Sequence, residues 1–312
     1  MWILWILLLA AAAAALAGLV MMRFALMRGR ERDPLSPAVI GKSCWARYQD
    51  SVRAGAAWIA AQPQEEVSIR SADGLRLSGR FLPAAGDARG TILLFHGYHS
   101  AYFVDFSCSA QFYRELGFHL LLIDQRAHGR SEGTYITYGV LERQDCRLWA
   151  EFCARRFGPK HPLFLAGISM GASTVLMAAG LPLPPSVRGV IADCGFTSPR
   201  DIIREVMTAR YHLPAFPFLY AMDFWARLLA GFSLSGASTV EALSHTAIPV
   251  LLIHGTGDRF VPCRMSREAY DACVSEKRLL LVEGAGHASS FLVDTPACTE
   301  AVKRFLDQSL TD

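Results

Sequence analysis

The chain has 312 residues, 52% of them hydrophobic and 19% charged, with 31 Lys and Arg against 28 Asp and Glu for a net charge of +3. A chain of this size buries a large core without disulfide staples, and its near balance of charge offers no basic field for nucleic acid. Eight scattered cysteines form no C-x-x-C pair and have no histidines at zinc-finger spacing, so they read as small buried hydrophobes in a reducing compartment rather than as a metal site.

From Met1 to Met22 no side chain is charged, and Arg23, Arg28, Arg30 and Arg32 follow. As a helix rising about 1.5 Å per residue, this segment would span about 33 Å, enough for the hydrocarbon core of a bilayer. A single-pass transmembrane anchor over residues 1–27 is therefore expected. A buried core helix fits less well because the segment is apolar on every face. A cleaved secretory signal competes, since the alanine run offers A-x-A sites, but the basic leading region is missing and the apolar run is long. Arginines on its C-terminal side would keep the following domain in the cytoplasm.

Residues 28–63 read as a juxtamembrane linker, Arg28 to Pro37, followed by a helix from Val39 to Ala61. Val67-Ser-Ile-Arg-Ser and Leu75-Arg-Leu-Ser-Gly-Arg-Phe alternate around Asp73-Gly74, the pattern of an antiparallel hairpin at a sheet edge. Apolar runs of parallel-strand type then alternate with helix-length segments: Thr91–Phe95, His119–Ile123, Pro162–Ala166, Gly189–Ala192, Pro249–Ile253 and Arg278–Val282. This predicts a doubly wound, mostly parallel α/β sheet over residues 64–312, with its loops for ligand binding along one edge. Residues 196–243 break the rhythm with prolines and aromatics and predict a small helical lid, whose aromatics either pack it onto the sheet or line an apolar substrate pocket.

Gly167-Ile168-Ser169-Met170-Gly171 joins a strand-like run to a helix-like one. In such a sharp turn the serine hydroxyl projects from the sheet tip, and glycines two positions away avoid clashes. A serine hydroxyl needs a base, and the base an orienting carboxylate. Asp258, in His254-Gly-Thr-Gly-Asp, and His287, in Glu283-Gly-Ala-Gly-His, each follow a strand in the order this chemistry takes along such a chain. Ser169, Asp258 and His287 are thus the expected nucleophile, orienting acid and base, with Asp193 as reserve acid. Oxyanion donors are expected from the amides of Met170 and of Tyr98 in Phe95-His-Gly-Tyr-His-Ser. His96 reads as a brace for that loop, Asp124 as an anchor of its own loop, and His128 as structural or substrate-gating.

These motifs, with Asp124-Gln-Arg-Ala-His-Gly-Arg-Ser131, resemble the α/β-hydrolase superfamily across residues 64–310. Asp193-Cys-Gly-Phe-Thr-Ser198 together with the N-terminal apolar segment is more narrowly similar to membrane-anchored bacterial serine hydrolases related to the Bem46-like hydrolases. The resemblance implies ester, thioester or amide hydrolysis through an acyl-enzyme without cofactor or metal. A hydrophobic acyl substrate is expected, lipid-like or small, with the membrane as partner. A peptidase, amidase or acyltransferase would use the same three residues, and a binding protein with a decayed site is the non-enzymatic rival. Epoxide and haloalkane hydrolysis are disfavoured because that chemistry needs an aspartate where Ser169 stands.

Overall fold

A computed structural model describes residues 1–29, 33–41 and 43–311, so Arg30 and Arg32 of the basic flank lie outside the described residues. The apolar runs become strands β1 (Glu65–Arg70), β2 (Arg76–Leu82), β3 (Gly90–Phe95), β4 (Phe118–Ile123), β5 (Leu163–Ile168), β6 (Val187–Asp193), β7 (Val250–Gly255) and β8 (Lys277–Val282). They form one sheet in the order β1-β2-β4-β3-β5-β6-β7-β8. β1 and β2 form the edge hairpin, β2 pairs antiparallel with β4, and every other neighbouring pair is parallel. This is the doubly wound α/β fold expected from the run of apolar segments.

β3, β5 and β7 are buried at every position because helices cover both sheet faces. On one face the helix Glu142–Phe157 buries Trp149 and Cys146 against Phe95, Leu165 and Leu252. On the other, Ile59 of the helix Gln49–Ala61 and Phe305 of the C-terminal helix Thr295–Thr311 pack with Phe118 and Phe164. A Cβ on Gly55 would stand 1.9 Å from the Ser107 carbonyl oxygen, so only glycine allows that close approach.

The helix expected over Val39–Ala61 is instead a short turn, Pro37–Ile40, and the separate helix Gln49–Ala61. Local polar contacts account for the break: the Ser43 hydroxyl accepts from the Trp45 amide at 3.1 Å, and the Trp45 indole donates to the Ala288 carbonyl at 2.9 Å. This segment is thereby tied to the loop after β8.

Between β6 and β7 the chain forms a cap of three helices, Pro199–Glu205, Phe218–Ala230 and Thr239–Leu243, with a π turn at Val206–Arg210. Of its aromatics, Phe232 is buried, whereas Tyr211, Phe216, Tyr220 and Phe224 are exposed. Phe196 is also buried, Phe218 and Trp225 pack partly into the interior, and Phe196 and Tyr211 line the cavity beside Ser169, so Phe216, Tyr220 and Phe224 are the aromatics that neither pack the cap nor line a pocket.

The apolar N-terminal helix runs Trp2–Leu26 and lies against Phe218–Ala230. Residues 1–13 are exposed, but Gly18, Met22 and Leu26, spaced four apart on one face, are buried. Contact at Gly18 is so close that a Cβ there would stand 2.4 Å from that of Ala221. The Trp225 indole donates to the Ala15 carbonyl at 2.8 Å. Beyond the helix, Met27 bridges to Tyr135 and the Arg28 amide donates to Thr134 at 2.8 Å.

Candidate active site

Ser169 caps the helix Met170–Ala178 directly after β5, with φ 56° and ψ −117°. Such a conformation is strained for a residue with a side chain, and the surroundings fix it. A Cβ on Gly167 would stand 2.2 Å from the Gly171 carbonyl oxygen, and one on Gly171 would stand 1.9 Å from that of Phe95. Both glycines are therefore required for strand and helix to cross. The Ser169 amide donates to the Asp193 carbonyl at 2.8 Å, pinning the turn to β6.

The loops after β7 and β8 bring Asp258 and His287 to the same edge. The Ser169 hydroxyl lies 2.9 Å from His287 Nε2, and His287 Nδ1 lies 2.7 Å from Asp258 Oδ2. An ionised carboxylate only accepts, so Nδ1 carries the proton and Nε2 is left to accept from the serine. The second Asp258 oxygen accepts from the amides of Phe260 at 2.8 Å and Val261 at 2.9 Å. Burial alone would raise this carboxyl, but hydrogen bonding from His254 and His287 and the Phe260 amide outweighs it and holds the group well below the usual carboxylate range. His254, fully buried, donates Nε2–H to the Val261 carbonyl at 2.9 Å and receives the Ser266 hydroxyl at 2.6 Å.

Asp193 is not part of this chain of bonds. It accepts from the Ser290 hydroxyl at 2.9 Å, and burial pushes its carboxyl up to about 6. Cys194 brings its sulfur within 4.8 Å of donor atoms of Asp258 and His287, a trio of metal-ligating type. Burial raises that thiol well above its ordinary value, and Asp258 and His287 already hydrogen-bond each other.

The loop after β3 lies over the serine, with an added Cβ on Gly97 placed 3.3 Å from that of Ser169. Asp105, buried, accepts from the Gly97 amide at 2.5 Å and from the Ser100 hydroxyl, tying both ends of the loop. Sequence reasoning did not single out Asp105; its signal is a lone acid inside the otherwise apolar Ala101-Tyr-Phe-Val-Asp-Phe106. His96 braces the loop as expected, with Nδ1 on the Gly97 carbonyl at 2.8 Å and Nε2 accepting from the Gln125 amide at 3.2 Å. His128 accepts from the His99 amide at 3.1 Å, and Asp124 holds its own loop through the Arg130 amide at 3.0 Å. The Tyr98 amide takes no acceptor among the described residues, while its hydroxyl donates to the Ala25 carbonyl at 2.9 Å. Met170 heads its helix, where an amide lacks an intrahelical acceptor.

Ser169 opens onto a cavity of about 470 Å³ with an apolar lining that includes Phe196, Met207, Tyr138 and Phe260. Val20, Met21, Phe24 and Ala25 of the N-terminal helix form part of its wall. A second cavity of about 230 Å³, lined by Trp45, Ser100 and Ala288 among others, reaches Ser169 and His287 as well.

The chain resembles an uncharacterised Bacillus subtilis protein, YqkD, at 28% identity over 239 residues, 77% of this chain and 78% of that one. It is 28% identical over 184 residues to the lysophosphatidylserine lipase ABHD12 of Danio rerio, covering 57% of this chain and 44% of that protein. Among solved structures, the Pyrococcus furiosus esterase Pf2001 superposes with a TM-score of 0.64 at 22% identity, over 80% of this chain and 94% of that one, a likeness of fold. The model of the alpha/beta hydrolase family matches residues 92–297, which takes in most of β3 and all of β4 to β8, and the chain belongs to that family.

Proposed function

We propose that the protein is a membrane-anchored serine hydrolase that cleaves hydrophobic acyl esters or thioesters. The observation that carries this reading is the hydrogen-bonded series Ser169–His287–Asp258 at the floor of an apolar cavity. Ser169 Oγ attacks the acyl carbonyl while its proton passes to His287 Nε2, and Asp258 steadies the imidazolium that results. The tetrahedral oxygen is held by the Met170 and Tyr98 amides, each such donor being worth about 3 kcal/mol of barrier. His287 returns the proton to the leaving group. Water, activated by the same imidazole, then releases the acid. The cavity's predominantly apolar lining favours an aliphatic or aromatic acyl chain over a peptide segment, whose backbone would lose most of its hydrogen bonds there.

Residues 1–27 serve as the anchor in this reading, residues 28–63 link it to the catalytic domain, and that domain faces the cytoplasm. The test is labelling by a fluorophosphonate probe together with turnover of p-nitrophenyl esters from acetyl to decanoyl, comparing the native chain with Ser169→Ala. Labelling and turnover that vanish in the variant are expected; undiminished turnover in Ser169→Ala would overturn the mechanism. Probing intact against permeabilised cells reports the side of the bilayer.

A further inference from the structure

Resting on that reading, we infer that the cap helix Phe218–Ala230 enters the bilayer beside the N-terminal helix, so that the acyl chain reaches Ser169 sideways from the membrane along a wall made by the N-terminal helix itself.

The first argument is length. Trp225 meets Ala15, and Ala221 meets Gly18, so the two helices run antiparallel. The hydrocarbon core is about 30 Å thick, which a helix crosses with about 20 residues. The charge-free run Trp2 to Met22, about 31 Å of helix, matches that thickness and places Arg23 at the exit. The level of Ala15 then lies about 10 Å inside the hydrocarbon edge, and Trp225 lies there with it.

The second argument is the surface that would meet lipid. Phe216, Tyr220, Phe224 and Leu228 stand four apart, on one stripe of the cap helix and its leading turn, and are exposed by 74, 57, 57 and 62%. A stripe this apolar is costly in water, and it continues the exposed apolar face of the N-terminal helix. The two charges of the cap helix pair with each other: Asp223 faces inward and accepts from Ser233, the Leu234 amide and Arg227, whose side chain is 63% exposed beside the stripe. One occupant suits a surface continuous with a membrane-spanning helix: lipid chains.

The third argument is the path. Val20 and Phe24, 59 and 78% exposed, line the cavity and also face outward, so the cavity opens between the N-terminal helix and Tyr211–Leu213 at the depth where Met22 leaves the hydrocarbon. A chain leaving the bilayer there passes from one apolar medium to another without crossing water.

The experiment uses the full-length chain in phosphatidylcholine vesicles, with 4-methylumbelliferyl decanoate dissolved in the bilayer and the acetate in the aqueous phase. Phe224→Glu and Leu228→Glu lie outside the cavity, and each is expected to lower decanoate turnover at least tenfold while acetate turnover stays within about twofold. Met21→Trp, which narrows the wall, is expected to shift the decanoate-to-acetate ratio at least tenfold toward acetate. Native ratios in all three variants, with fluorophosphonate labelling intact, would overturn bilayer entry. Absence of labelling in the native chain would instead sink the hydrolase reading.

Discussion

At the residue scale, the edge of the sheet holds two carboxylates with opposite fates. Asp258 is surrounded by donors and stays ionised, whereas Asp193 has only the Ser290 hydroxyl at 2.9 Å and is pushed up to about 6 by burial, which the nearby His254 and His287 only partly offset. Because Asp193 ionises less readily in the folded chain than in the unfolded one, it leaves stability untouched below about pH 4. Its cost grows as the pH rises to about 6 and persists above that. Asn keeps an acceptor for Ser290 and carries no charge. Asp193→Asn is therefore expected to match the native chain in denaturant midpoint at pH 4 and to exceed it by about 1–3 kcal/mol at pH 8. Equal midpoints at both values would show that the ionised group is compensated inside the fold. Activity should survive the change, since no hydrogen bond joins Asp193 to His287.

At the element scale, the helix Met170–Ala178 leaves β5 and passes the end of β3 where a Cβ on Gly171 would stand 1.9 Å from the Phe95 carbonyl oxygen. Gly171→Ala is expected to destabilise the chain by about 3 kcal/mol and to abolish probe labelling, because the added carbon must displace β3 or the Ser169 turn. Gly86→Ala, where the new atom meets nothing within 4 Å, is the control and should change neither property. This crossing was legible in the sequence, since glycine spacing around a serine after an apolar run states a steric requirement directly. The strands were legible for a similar reason: burial on both faces leaves no polar alternation to confuse with a helix. Asp105 and His254 were not, because their roles are set by loops that meet only in three dimensions. Nor was the docked face of Trp2–Leu26. When every position is apolar, the sequence holds no contrast from which to read which side is covered.

At the scale of the whole molecule, sheet, cap and N-terminal helix share one apolar interior. Met22 and Leu26 are fully buried, and they cover Leu219, Met222 and Ala226 of the cap. Each such side chain stabilises the fold by about 1.5–3 kcal/mol when removed from water. Residues 1–13, by contrast, are exposed throughout and lie outside that cluster. Two truncations compared in the same detergent separate these halves. The chain lacking residues 1–13 is expected to melt with the full-length protein. The chain lacking residues 1–27 should melt lower by on the order of 10 °C, with the cap exposed to protease first. Such an outcome makes the part of the helix after residue 13 a permanent piece of the fold, since its removal strips Met22 and Leu26 from the cap. If the shorter chain melted with the full-length one, the contacts along Ala15–Leu26 would be dispensable, and a removable leader would account for the segment better than an anchor.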